Sequence, residues 1–131
     1  MAKTSTTSRN LQADAFGNQF NGGTLKLFPG TIPANPQTAE GQTELVAISL
    51  EADAFPAAIT GVLTMTLPAT AGVATAAGTA TWGRFYTSGA AAIMDVTVTT
   101  SGGGGDLIAT VVIVAINDTS NITSFTYTIP E

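Results

Sequence analysis

With 131 residues the chain is long enough for one domain with a true core and short for two. Charged residues make up 10%, against roughly 25% in an average soluble domain. The net charge is −5, and the only basic residues are Lys3, Arg9, Lys26 and Arg84, so no basic patch for nucleic acid is expected. The chain has no cysteine and no histidine, which removes disulfides, thiolate metal sites, the commonest general base and the commonest metal ligand.

In chain order, Met1 to Ser8 is a small, polar arm rich in Ser and Thr, and Arg9 to Phe20 is the one helix candidate. Leu11, Ala15 and Asn18 or Gln19 are expected to share its inner face, and Asn21-Gly22-Gly23 ends it. Thr24 to Phe28 reads as a strand with Leu25 and Leu27 on one face and Lys26 and Phe28 on the other. Pro29-Gly30 breaks it, and Thr31 to Gln42, with Pro33 and Pro36, is a long loop of the kind that tends to carry function. Thr43 to Leu50 returns to strand, Glu51 to Thr60 is irregular, and Val62 to Leu67 alternates as a strand until Pro68.

Ala69 to Ala80 is built of small residues, either as a flat strand or as a loop hugging the surface, and it suits close approach to another element. Thr81 to Thr87 is a strand with Trp82, Arg84 and Tyr86 on one side and Phe85 on the other. Ser88-Gly89 turns the chain into Ala91 to Thr100, and Ser101 to Gly105 then reads as a flexible hairpin loop. A strand over Asp106 to Val112, a turn at Asp118 to Asn121 and a last strand from Ile122 to Pro130 complete the chain. Many short strands with Gly, Pro, Asn and Ser punctuation predict an all-β fold. The expected form is an antiparallel, jelly-roll-like β-sandwich over residues 24–131, preceded by an N-terminal arm or short helix over 1–23, with an immunoglobulin-like sandwich as the runner-up.

Catalytic candidates reduce to carboxylates. Glu51 and Asp53 alternate so as to project from one side of an extended segment, but glycosidase partners also need an enclosing aromatic cleft, and aromatics are 7% of the chain. Asp106 and Asp118 read as turn residues, and the acid spacing of a calcium loop is absent. Asp95 interrupts an apolar strand and either pairs with Arg84 or faces solvent. The glycine run has no following helix and no lysine, so it is not a phosphate cradle. Trp82 reads as packing rather than a sugar platform, and Asn117-Asp118-Thr119 and Asn121-Ile122-Thr123 as turns rather than glycan acceptors. No cofactor, metal or enzymatic activity is expected.

Mean hydropathy is +0.31, yet no run approaches the roughly 18 apolar residues that span a bilayer, so no membrane partner is expected either. Met1 to Asn10 lacks an apolar signal core, so export by that route is not expected. Charge is depleted from interface cores, and so sparse a charge complement points to a chain that hides surface in an assembly rather than to a secreted sandwich coated with Ser and Thr.

The pattern Trp82 to Tyr86, Ser88-Gly89, Ile93-Met94-Asp95, Thr100-Ser101-Gly102 with Asp106-Leu107, and Ile122 to Pro130 resembles a family of small tailed-bacteriophage virion proteins. Leu25 to Pro36 is similar to that family's opening strand and proline loop. The run Gly102 to Gly105 departs from it, since relatives tend to have a shorter turn. The resemblance implies a non-enzymatic head decoration, or cement, protein on the capsid exterior, made in the bacterial host cytoplasm and bridging capsomers of the major capsid protein. It carries no catalytic residue. A tail, neck or fibre-associated structural or glycan-binding sandwich is the alternative. The expected contact elements are the arm around Lys3 and Arg9, the proline loop at Ile32 and Pro33, and Phe55. Self-association into a dimer or trimer is expected, because bare sheet faces and edges need covering.

Overall fold

A computed structural model describes residues 2–130 and shows a strand-rich, sandwich-like fold with a short N-terminal helix. The helix α1 spans Thr6–Gly17 and continues as a 3₁₀ turn over Asn18–Phe20. It starts earlier than its apolar pattern suggested because Ser5 is an N-cap, its Oγ accepting from the Ser8 N–H at 3.1 Å. The inward face also differs from expectation. Ala13, Phe16, Gly17 and Phe20 follow the i, i+3, i+4, i+7 spacing and turn inward, whereas Leu11 is 66% exposed and Ala15 faces out. Two phenylalanines outweigh one leucine, and they set the helix phase.

The main sheet holds the strands β1 (Thr24–Phe28), β2 (Val46–Ser49), β3 (Val62–Thr64), β6 (Trp82–Tyr86), β7 (Ala92–Thr99), β8 (Leu107–Ala109) and β11 (Ile122–Thr128). Their order is β2-β1-β6-β7-β8-β11-β3, and the sheet curls into a half-barrel. Two small ribbons lie beside it: β4 (Gly72–Val73) pairs with β10 (Thr119–Ser120), and β5 (Gly78–Thr79) pairs with β9 (Ile113–Val114). Leu25, Leu27, Phe85, Val96, Val98, Leu107 and Phe125 line the inner face of the sheet. Phe20 sits at their centre, edge-on to Phe55 and Phe85 with ring centroids 5.1 Å away in each case.

The small-residue stretch after Pro68 supplies β4 and β5, and its composition has a geometric cause. A Cβ on Gly72 would fall 2.5 Å from the Ala47 carbonyl oxygen and 2.6 Å from Val46 Cγ1, so only glycine lets this ribbon lie on β2.

All neighbouring strands are antiparallel except β7 and β8, which run parallel with Val98 opposite Leu107. The segment Ser101 to Gly105 is therefore not a hairpin loop. It carries the chain back beside the end of β7 so that β8 can start again in the same direction, where parallel neighbours ordinarily need a long crossover. Gly102 and Gly104 take φ of +87° and +78°, and a Cβ on Gly103 would lie 2.6 Å from Thr99 Cβ. Asp106 fixes the return: its Oδ2 accepts from the Thr97 N–H at 3.1 Å and the Thr97 hydroxyl at 3.0 Å. It thus clamps a distant strand rather than its own turn. Asp118 does serve its own turn, accepting from the Ala115 N–H at 2.8 Å.

Candidate functional site

The outer face of β1, β6 and β7 carries the densest polar cluster among the described residues. Lys26, Arg84 and Asp95 occupy one cross-strand row, because Arg84 is the register partner of both Lys26 and Asp95. Two like charges directly opposite each other are unfavourable on a sheet, and acids on both sides relieve this pair. Glu44 reaches Lys26 at 3.4 Å, and Asp95 takes Arg84 in a two-point contact, Nε to Oδ1 at 2.6 Å and Nη2 to Oδ2 at 3.0 Å.

Arg84 is only 2% exposed. Its remaining donors reach the proline loop: Nη1 donates to the Thr38 carbonyl at 2.7 Å and to Glu40 Oε2 at 3.1 Å. Its guanidinium lies 5.4 Å from the Trp82 ring centroid, and Trp82 is itself stacked on Phe28 at 4.6 Å. The Asp95 hydrogen bonds raise the Arg84 pKa above its ordinary value, although burial pulls the other way. Tyr86, next on this face, has a buried hydroxyl near Glu40 and Arg84 that makes no hydrogen bond of good geometry among the described residues. Burial, with the negative charge of Glu40 added, raises its pKa.

The proline loop is therefore fastened down. Trp82 Nε1 donates to the Pro29 carbonyl at 3.2 Å, the Thr81 hydroxyl to the Gly30 carbonyl at 2.6 Å, and Gln42 Nε2 to the Thr31 carbonyl at 2.9 Å. Ile32 stays exposed at its crest, with Pro33 half-buried beside it. Of the other expected contact residues, Lys3 is exposed ahead of the helix. Arg9 lies within α1 and donates from Nη1 to the Thr60 carbonyl at 3.2 Å, in the turn before β3. The arm and the loop thus attach to different parts of the sheet. Phe55 is no contact anchor in this chain: it is buried between Phe20 and Phe125, because the irregular segment that bears it plugs the inner face.

Two groups of exposed apolar side chains went unrecognised in the sequence. One centres on Ile59, 74% exposed next to the edge strand β3. A shallow pocket of about 340 Å³ lined by Pro56, Ala57, Ile59, Thr60, Val62 and Thr64 opens beside it. The other group lies on the ribbons flanking the opposite edge strand, β2. There Ile113 is 73% and Ile116 61% exposed, with Val73 and Val111 also in solvent. Val111 to Ile116 is the longest apolar stretch of the chain, and only Ile113–Val114 of it forms strand. Its apolar run could have flagged the surface, but a buried strand produces the same pattern.

Glu51 and Asp53 do not face a common cleft; Glu51 Oε1 accepts from the Ala69 N–H at 2.8 Å. Among the described residues no three acids converge on one point, and no helix is long and apolar enough to cross a membrane. Comparison with protein-family models, with curated proteins and with solved structures gives no match.

Proposed function

We propose that this chain is a non-enzymatic structural subunit of a bacteriophage virion, a decoration protein that bridges capsomers of the major capsid protein from outside. One observation carries the proposal: a fold with a complete aromatic core still exposes large apolar side chains beside both edge strands, Ile59 next to β3 and Val73, Ile113 and Ile116 on the ribbons next to β2. A monomer gains nothing from such patches, which mark contact surfaces. A bridging protein must touch at least two neighbours, and two apolar faces meet that need. Binding only the assembled shell shifts the assembly equilibrium by mass action, and modest contacts repeated over a lattice add through avidity. The resemblance to small tailed-bacteriophage virion proteins supports a part in the virion.

The test uses virions that carry this chain. Particles stripped of it should lose shell integrity at a lower temperature, and adding the purified protein back should restore the original transition. Ile59→Lys should weaken rebinding, since it places a charge on the apolar surface beside β3. Stripped particles that melt unchanged would refute cementing. Copies imaged along the tail axis in six-fold rings would move the assignment to a tail or neck subunit.

A further inference from the structure

We propose that the shallow pocket beside β3 binds a primary carboxamide, the head of a glutamine side chain on a partner protein, through the backbone N–H and C=O of Thr64. The proposal goes beyond the virion reading, since it requires no capsid.

The backbone geometry comes first. The Met65 N–H donates to the Phe125 carbonyl at 3.0 Å and the Ile129 N–H to the Gly61 carbonyl at 2.8 Å, so Gly61, Leu63 and Met65 are the positions that bond toward β11. Bonded and non-bonded positions alternate along an antiparallel ladder, which turns the N–H and C=O of Val62, Thr64 and Thr66 toward the outer edge of the sheet. The chain itself engages the first and last of these. Val62 exchanges both bonds with Ile59, and the Thr66 N–H donates to the Ala54 carbonyl at 2.8 Å. Between them, nothing among the described residues meets the N–H or C=O of Thr64.

The sequence explains the gap. Residues 55–58 pass Thr64 on the way from Ala54 to Ile59, and Pro56 has no N–H to offer it. The Ala58 N–H is taken by Asp14 Oδ1 in α1 at 2.7 Å, and Phe55 is buried in the core, so the segment is drawn off the sheet edge. Ile59 rejoins β3 through a tight turn in which Thr60 holds φ of +51°, a strained value for a β-branched residue. Two residues of α1 fix that turn. Arg9 donates to the Thr60 carbonyl, and Asn10 Oδ1 accepts from the Gly61 N–H at 2.7 Å. The pocket of about 340 Å³ is thus framed by fixed neighbours.

Those neighbours select the occupant. A further strand cannot run along β3, because Ala54 and Ile59 already hold the places on either side of Thr64. One donor and one acceptor side by side match a primary carboxamide, which carries an acceptor oxygen and a donor N–H on the same side of one plane. Its aliphatic stem would lie against Pro56, Ala57 and Val62, and the uncharged lining favours a neutral head group. Ile59, 74% exposed at the rim, offers more apolar surface than a free amide can cover, which points to a protein as the carrier.

Propionamide, the glutamine head with its stem, is the probe. Followed by amide NMR, it should shift the Thr64 N–H saturably, with a dissociation constant on the order of 10 mM for so small a molecule. N,N-dimethylpropionamide keeps the acceptor and loses the donor, and should bind at least about ten-fold more weakly. Thr64→Pro removes the chain's donor at an edge position that tolerates proline, and should weaken propionamide equally with an unchanged circular dichroism spectrum. The ligand comparison decides the matter should that variant not fold. N-acetylglutamine N-methylamide, which adds a peptide backbone, should bind more tightly than propionamide. No saturable shift at Thr64, or equal binding of the dimethyl compound, overturns the proposal. Equal binding of propionate also overturns it, because Arg9 would then be reading a charge. A glutamine compound no tighter than propionamide overturns the protein carrier, and so does a wild type that sediments as a dimer and is dissociated by propionamide, since a second copy would then be the occupant.

Discussion

Arg84 joins three parts of the molecule that the sequence keeps apart: its own strand, Asp95 eleven positions later, and the carbonyls and Glu40 of the proline loop. A buried ion pair is weak proof of net stability, but removing one partner strands the other charge. Arg84→Ala should therefore cost about 3–5 kcal/mol, read by chemical denaturation, with faster proteolysis within residues 31–42. Arg84→Lys keeps the charge but not the two-point geometry, and should fall between the two. Tyr86 gives a pH signature. Its pKa is raised in the folded state, so above the ordinary tyrosine value of about 10 the folded chain holds a proton that the unfolded chain has released. The contribution is complete below that pH and declines as pH rises through the folded pKa. Tyr86→Phe should remove this alkaline slope. Because the hydroxyl makes no hydrogen bond of good geometry, the variant should match the wild type at neutral pH or exceed it by up to about 1 kcal/mol, as melts at several pH values would show.

At the scale of elements, the turn between β7 and β8 shows glycine acting in two different ways. Gly102 and Gly104 supply positive φ, while Gly103 and Gly105 leave room for Thr99. Gly103→Ala should cost roughly 1–3 kcal/mol through overpacking against Thr99. Combining it with Thr99→Ala should recover part of that loss, and a double-mutant cycle by denaturation would expose the coupling. The recovery stays incomplete because alanine keeps the Cβ that would lie 2.6 Å from the new methyl, and because the Thr99 hydroxyl also accepts from the Gly105 N–H at 3.0 Å. A simple sum of the two single-variant losses would mean that the turn yields elsewhere. The helix carries a parallel lesson: it was expected from Arg9, but the Ser5 cap starts it at Thr6, and the phase of α1 was set by what Phe16 and Phe20 could reach across the sheet.

For the whole molecule, sparse charge changes how the protein responds to solvent. With 10% charged residues, screening has little to act on. Raising sodium chloride from low to physiological strength should leave the unfolding free energy within about 1 kcal/mol, whereas sulfate should raise it by favouring apolar burial. Thermal melts across a salt series would separate these responses, and a steep fall in plain salt would show that ion pairs carry much of the stability.

The strands of the main sheet, the breaks at Pro29-Gly30 and Pro68, the alternation of Trp82, Arg84 and Tyr86 against Phe85, and the expectation of an all-β fold with a short N-terminal helix were legible in the residues, whereas the ribbon strands were not: Thr119–Ser120 was expected as a turn. Local chain geometry dictates these features, since side-chain alternation and backbone stiffness act over a few neighbours. The pairing of Arg84 with Asp95 was one of two open readings, because polarity on a strand does not say whether a loop will cover it. Four features needed the tertiary structure: the parallel step from β7 to β8, the burial of Phe55, the exposure of Leu11, and the outward face of Ile113. Each depends on which distant segment occupies a given side of the sheet. The sequence lists apolar residues without saying which face they will take, and only competition for one shared core assigns some to the interior and leaves others at the surface.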